Sequence, residues 1–300
     1  WWSRLKSMLR RTKQGVFGGG LEEKIYDAYR FLAMNYSPGD RIFLFGFSRG
    51  AFTVRSLAGL IYNSGLLCRQ NLFELENAYR LYRDADLKPS SYTCTQFRKT
   101  NSREVDIDFL GCWDTVGMLG VPDLIGEVDF DDWVNARYAF HDTQVNRRIL
   151  NARQACALDE RREAFPLTPM VHSPSREPAQ VKERWFIGGH GSIGGGETWS
   201  QPLADIALTW MADEARASRL AISAPLLDQR TAPDPFVKLR EPTGWLSRLG
   251  FKDRELPAGV TVDDLDPSVV IRWKRDGNYR PGALDPLRSD LDASPDPDNA

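Results

Sequence analysis

The chain has 300 residues, 42% of them hydrophobic, with 39 Lys and Arg against 41 Asp and Glu and a formal net charge of −2. That balance excludes the basic field by which nucleic acid or an anionic membrane surface is bound, and the apolar content is ample for a buried core. The four cysteines, Cys68, Cys94, Cys112 and Cys156, form no C-x-x-C pair and fit neither a zinc site nor a disulfide framework, so buried thiols are expected.

Residues 1–14 are basic and carry Trp1, Trp2, Leu5, Met8 and Leu9, the pattern of a short amphipathic helix packed on a neighbour or lying on a membrane surface. Trp1-Trp-Ser-Arg-Leu-Lys is not a signal peptide, and no apolar run approaches the roughly 18 residues of a transmembrane span. Synthesis in the cytoplasm is the expectation, and the missing initial Met suggests a cut from a longer protein. After the flexible Val16-Phe-Gly-Gly-Gly20, Leu21, Ile25, Ala28 and Leu32 predict a helix that Ser37-Pro-Gly-Asp40 ends.

Arg41 to Thr53 then reads as an apolar strand, a Gly46-Phe-Ser-Arg-Gly50 turn and the start of a helix, continued by Val54, Leu57, Ala58 and Ile61 at helical spacing. A strand-to-helix turn that presents a serine on a strained backbone leaves little room for Cβ atoms, which accounts for both flanking glycines and makes Ser48 the candidate nucleophile. The plainer reading is a tight turn with a structural serine. No Gly-Lys-Ser/Thr follows Gly46, so the phosphate-binding form of such a loop is excluded.

Leu72 to Tyr82 predicts a helix and Pro89 to Thr93 a polar loop. Val105 to Trp113 predicts a second buried strand, which ends in Asp114 at the edge where open α/β sheets place their sites; capping of the turn is the alternative role. Val121 to Asp142 is an acidic, aromatic excursion expected to roof the site, with Asp131-Asp132 a solvated turn and no metal site. Asn146 to Arg162 predicts a helix whose terminal charges pair with one another, or in which Glu160 and Arg161 buttress the sheet.

Arg184 to Ile187 predicts a short strand opening into a glycine-rich loop that carries His190. The other two histidines, His141 and His172, lie in irregular stretches, so His190 is the candidate base. Gly189-His-Gly-Ser-Ile-Gly194 matches a dinucleotide fingerprint only in letters, because the next helix starts at Pro202 and no acidic residue follows a second strand at the needed distance. Pro202 to Ala217 predicts a helix, Ala224 to Pro257 peripheral structure, Asp266 to Trp273 a final ordered element, and 291–300 a disordered acidic tail.

Ser48, Asp114 and His190 thus each follow a predicted strand, in the order nucleophile, acid, base. A parallel sheet brings such ends to one edge. His190 would take the Ser48 proton, Asp114 would orient His190, and the N–H of Arg49 would supply one oxyanion donor. The second donor belongs on a loop after an earlier strand, and no such strand is found upstream.

Phe17-Gly-Gly-Gly-Leu-Glu-Glu with Ala28-Tyr-Arg-Phe-Leu, Pro38-Gly-Asp40, Phe45-Gly-Phe-Ser-Arg-Gly-Ala51, Phe109-Leu-Gly-Cys-Trp-Asp-Thr-Val-Gly117, Ala157-Leu-Asp-Glu-Arg-Arg162 and Trp185-Phe-Ile-Gly-Gly-His-Gly-Ser-Ile-Gly-Gly-Gly196 resemble, in order, the catalytic domain of the first lipase-effector family of type VI secretion. Leu203-Ala-Asp-Ile-Ala-Leu and Pro267-Ser-Val extend the resemblance over roughly residues 15 to 285. It implies a Ser/Asp/His phospholipase without metal or cofactor, with phospholipid or another ester as substrate, delivered into rival cells and partnered by a secretion apparatus and an immunity protein.

Two departures stand out. The family opens with a strand ending in an Asp-Gly-Thr-like turn, which this chain lacks, and its His-Ser-Asp loop reads His190-Gly-Ser192 here, leaving Asp114, or failing that Asp205, to orient the base. The expected fold is therefore α/β-hydrolase-like, a mainly parallel sheet flanked by helices without its N-terminal strand. A single catalytic domain is expected over 1–290, with insertions near 121–145 and 218–262. A serine esterase or lipase is the expected function; an inactive hydrolase-shaped interaction module or fragment, and an esterase for soluble esters, are the alternatives.

Overall fold

The computed structural model describes residues 19–116, 145–163, 165–171, 180–241 and 250–297. Helix α1 (Gly19–Asn35) leads into strand β1 (Phe43–Phe47), which turns at Ser48 into helix α2 (Arg49–Ser64). Strands β4 (Phe109–Trp113), β5 (Ala152–Ala157) and β6 (Val181–Phe186) join β1 in a parallel sheet of order β1-β4-β5-β6. Among the described residues this is a mainly parallel sheet flanked by helices, the expected α/β class. A small antiparallel pair, β2 (Leu66–Leu67) and β3 (Ser102–Arg103), lies apart from it.

Alternation along β4 assigns its two faces. Leu110 and Cys112 pack with Ile25 and Tyr29 of α1 and Leu57, Leu60 and Ile61 of α2, whereas Phe109 packs with Ala207 and Met211 of helix α6 (Gln201–Ala217). Gly111 faces α6 as well. A Cβ there would lie 2.9 Å from the Met211 sulfur and 2.8 Å from the Phe45 ring, so glycine lets α6 close on the sheet. Tyr29 secures α1 to the β2 strand, its hydroxyl donating to the Gly65 carbonyl at 2.7 Å and accepting from the Leu67 N–H at 3.0 Å.

Three stretches differ from the sequence reading. The region expected to be a helix, Asn146 to Arg162, holds β5, buried at every position. A strand covered on both faces loses the polar alternation that marks a half-exposed one, and Ala, Arg and Gln are good helix formers, so its pattern misleads. Its polar members are buried because they are paired: Arg153 with Glu214 at 2.5 Å, and Gln154 with Glu183 at 2.6 Å and with the Thr115 hydroxyl.

Helix α3 (Leu75–Arg83) starts later than expected, after a 3₁₀ stretch, and helix α4 (Tyr92–Asn101) follows the polar loop, where Ser91 caps it by accepting from the Cys94 N–H. The described part of the expected disordered tail, 291–297, packs against the domain. Helix α7 (Ala224–Arg230) precedes helix α8 (Pro267–Arg275), which is capped by Asp266, and helix α9 (Arg288–Ala293) buries Leu291 fully beside Trp273. The acidic residues there serve as partners: Asp292 accepts from the Trp273 indole at 2.8 Å and Asp296 pairs with Arg275 at 2.8 Å. The expected N-terminal amphipathic helix at 1–14 and the roof at 121–142 lie outside the described residues.

Candidate active site

The turn at Ser48 is held from both sides. Its N–H donates to the Trp113 carbonyl at the end of β4 at 2.9 Å, and its carbonyl accepts from Ala51 and Phe52 at 3.0 and 3.2 Å to begin α2. Between those anchors Ser48 sits at φ 58°, ψ −126°, a strained conformation for a side-chain-bearing residue that typically costs about 1–3 kcal/mol. Gly46 makes the turn feasible, since a Cβ there would lie 2.3 Å from the Gly50 carbonyl oxygen.

Gly50 does not share this role. Its Cβ would meet nothing within 4 Å among the described residues, so the expectation that both glycines make room holds only for Gly46. Gly46→Ala should accordingly destabilise the chain by about 3 kcal/mol or more, because the clash is with backbone that cannot swing aside. Gly50→Ala should be neutral or stabilising by up to about 1 kcal/mol, as a glycine-to-alanine change within a helix. Urea unfolding of the two variants checks the contrast.

Asp114 follows β4 at φ 41° and is fully buried. It leans across the end of β5: its N–H donates to the Ala155 carbonyl at 2.8 Å and its Oδ1 accepts from the Ala157 N–H at 2.9 Å. His190 comes back over the same strand end from β6, on the short helix α5 (His190–Ile193), and its N–H donates to Glu160 Oε2 at 2.9 Å. His190 is 6% exposed, and its ring lies between Phe47 and Phe165, with centroids at 4.6 and 4.9 Å. Gly194 admits Phe47, whose ring carbons would lie 2.4 Å from a Cβ there.

The three side chains meet. His190 Nδ1 lies 2.7 Å from Asp114 Oδ2, and His190 Nε2 lies 2.8 Å from Ser48 Oγ. An ionised carboxylate only accepts, so Nδ1 carries the ring proton, Nε2 is the acceptor, and the Ser48 hydroxyl donates to it. Burial opposes charge on Asp114, but the Arg254 guanidinium beside it and hydrogen bonds from His190 and Arg254 prevail and hold its carboxyl well below the usual range.

Arg254 escaped the sequence reading. The backbone around it runs beside 161–163, with Glu163 donating to the Gly250 carbonyl at 3.3 Å and Lys252 to the Arg161 carbonyl at 2.7 Å. That pairing carries Arg254 to Asp114 from 140 residues away. Glu160 pairs with Arg162, one of the two roles expected of this charged stretch: burial works against its charge, yet that pair at 2.7 Å and the His190 N–H keep its carboxyl below the ordinary value. Arg161 instead pairs at the surface with Glu241 and Asp253.

Asp205, the fallback partner for His190, is engaged elsewhere. It is buried on α6 and binds the Gln201 side chain and the Ala232 N–H, each at 2.8 Å. His141 and His172 lie outside the described residues. Cys94, Cys112 and Cys156 are buried thiols as expected, whereas Cys68 is only half-buried; burial pushes Cys112 up to about 12. No group of three or more His, Cys, Asp or Glu suited to a metal ion lies among the described residues, and no helix there is long and apolar enough to cross a membrane.

The sequence profile of a family described as T6SS phospholipase effector Tle1-like, catalytic domain, matches residues 1–214, well over half of the chain. The chain belongs to this family. An uncharacterized protein of Saccharomyces cerevisiae is 36% identical to this Tle1-like chain over 180 residues, covering 56% of the chain and 24% of the yeast protein, so the chain spans about a quarter of that relative's length. Among solved structures, an uncharacterized protein from Pseudomonas aeruginosa covers 72% of the Tle1-like chain and 30% of its own, at 18% identity and a TM-score of 0.36. The Tle1 effector bound to the VgrG spike of the type VI secretion system covers 58% and 30%, at 19% identity and a TM-score of 0.28. Both structural likenesses are too loose to superpose individual residues.

Proposed function

We propose that this Tle1-like chain is the catalytic part of a serine esterase that cleaves carboxylic esters of phospholipids through an acyl-Ser48 intermediate. The observation that carries the reading is the continuous hydrogen-bonded line from Asp114 through His190 to Ser48, at 2.7 and 2.8 Å, with Ser48 on a strained strand-to-helix turn. Ser48 Oγ attacks the ester carbon as His190 Nε2 takes its proton; His190 then returns that proton to the departing alcohol, and water releases the fatty acid by the same route. Asp114 holds the ring tautomer and opposes the charge of the imidazolium. The Arg49 N–H, at the N-terminus of α2, is one donor to the oxyanion.

Catalysis and delivery are separable parts of the proposal. Export through a type VI apparatus into target cells, with an immunity protein as counterpart, rests on family membership alone, whereas the chemistry rests on the site. The domain is proposed to run past the expected end at 290 to include α9, with 218–262 contributing Arg254 to the site.

The test is labelling of the purified chain with a fluorophosphonate, mapped by mass spectrometry, beside fatty-acid release from phosphatidylethanolamine–phosphatidylglycerol vesicles. Adduct on Ser48 with release is the expected result. An adduct with turnover confined to soluble p-nitrophenyl esters favours the soluble-ester alternative, and a folded chain that neither labels nor turns over is an inactive module.

A further inference from the structure

The Asp114 carboxylate is not the lone anion that a serine–histidine–acid line ordinarily contains. Arg254 Nη1 donates to Asp114 Oδ1 at 2.5 Å and Nη2 to Oδ2 at 2.8 Å, so a planar fork grips both oxygens. The same two nitrogens donate to the Ala157 carbonyl at 2.8 Å and the Phe165 carbonyl at 3.0 Å. The side chain is 8% exposed, and its Nε–H finds no acceptor among the described residues. A buried cation with this many fixed partners has one orientation, and it gives that orientation to Asp114.

We infer that Arg254 is a positioning residue for the proposed reaction, fixing the plane of Asp114 through both oxygens and holding a fixed positive charge beside the His190–Asp114 pair. The inference rests on the Ser48–His190–Asp114 reading and deepens it. The guanidinium opposes any further positive charge at this end of the line by Coulomb repulsion, and it is among the groups that hold the Asp114 carboxyl below its usual range.

Other ionisable groups around the pair are accounted for. Glu160 is neutralised by Arg162, and burial pushes the Cys156 thiol far up. Asp159, raised to about 6 mainly by burial, faces the Gly188 N–H and the Tyr279 hydroxyl and titrates alike in the variants compared.

The experiment is the pH dependence of kcat/KM on a soluble p-nitrophenyl ester for the unmodified chain, Arg254→Met and Arg254→Lys, each checked for folding by thermal melting. With Arg254→Met the acid limb should move up by about one pH unit or more, costing about tenfold near pH 5–6 and less above pH 8. Arg254→Lys should keep the limb in place and lower kcat, since an ammonium supplies the charge without the fork. A folded Met variant whose loss is equal at every pH, or a Lys variant matching the unmodified chain in kcat, overturns the inference.

Should the Met variant not fold, the Lys variant alone decides. Histidine ¹⁵N titration by NMR, with His190→Asn for assignment, reads the same displacement without turnover. An inactive chain whose His190 midpoint still moves up in the Met variant sinks the esterase reading and leaves the coupling standing; an unmoved midpoint sinks the coupling.

Discussion

Ser48→Ala is expected to lower ester turnover by about 10⁴-fold or more and to abolish fluorophosphonate labelling, while the chain stays folded. The loss is large because, in the proposed mechanism, the Oγ supplies both the bond-forming electrons and the proton passed to His190 Nε2, which lies 2.8 Å away. The structural cost is small. Alanine meets the same backbone strain at φ 58° as serine, and the one side-chain hydrogen bond removed is worth about 1 kcal/mol net. Steady-state turnover beside a urea melt separates the two effects, and retention of more than a few per cent of the activity would place the nucleophile elsewhere.

Asp114→Asn should lower turnover by a similar factor, about 10⁴-fold, and unlike the serine change it should also weaken the fold. An amide has one acceptor oxygen and one donor nitrogen, whereas His190 Nδ1 and both Arg254 nitrogens all donate toward this side chain. One donor must therefore face another, and a buried guanidinium loses its counter-charge, a change that typically costs about 3–5 kcal/mol.

The pH dependence gives a second signature. Because the carboxyl of Asp114 is held below its usual value in the folded chain, its stabilising contribution is present above the unfolded carboxyl range near ~4 and is lost as pH falls through the folded value. The asparagine variant should show a shallower loss of stability on acidification. Urea midpoints at neutral and acidic pH test this, and equal slopes in the two proteins would argue against a charged Asp114.

The parts of the site that were legible in the sequence share a property: each is announced by its immediate neighbours. Ser48 follows an apolar strand and precedes helical spacing, Asp114 ends a buried strand, and His190 lies just past another in a chain with three histidines. Arg254 has no such local signature, because its role comes from a carboxylate 140 residues earlier and from strand-like pairing of 250–252 with 161–163. Phe165, stacked on the His190 ring, is hidden for the same reason.

β5 was misread because periodicity reports the contrast between two faces, and a strand enclosed on both has none. The tail was misread by composition: an acidic segment reads as solvated until Trp273 and Arg275 are seen to take two of its carboxylates.

The end of β5 carries none of the three side chains of the hydrogen-bonded line, yet its backbone and Glu160 just beyond it locate Asp114, Arg254 and His190 against one another. The Ala155 carbonyl and the Ala157 N–H take Asp114, the Ala157 carbonyl takes Arg254, and Glu160 just beyond takes the His190 N–H. These contacts are built into an interior strand with a hydrogen-bonded neighbour on each side. The alignment of these groups therefore depends on the sheet as well as on the turns that carry them. Opening of the β5 end is expected to cost the proposed activity together with the sheet, and comparing loss of turnover with loss of sheet signal along one urea titration tests this.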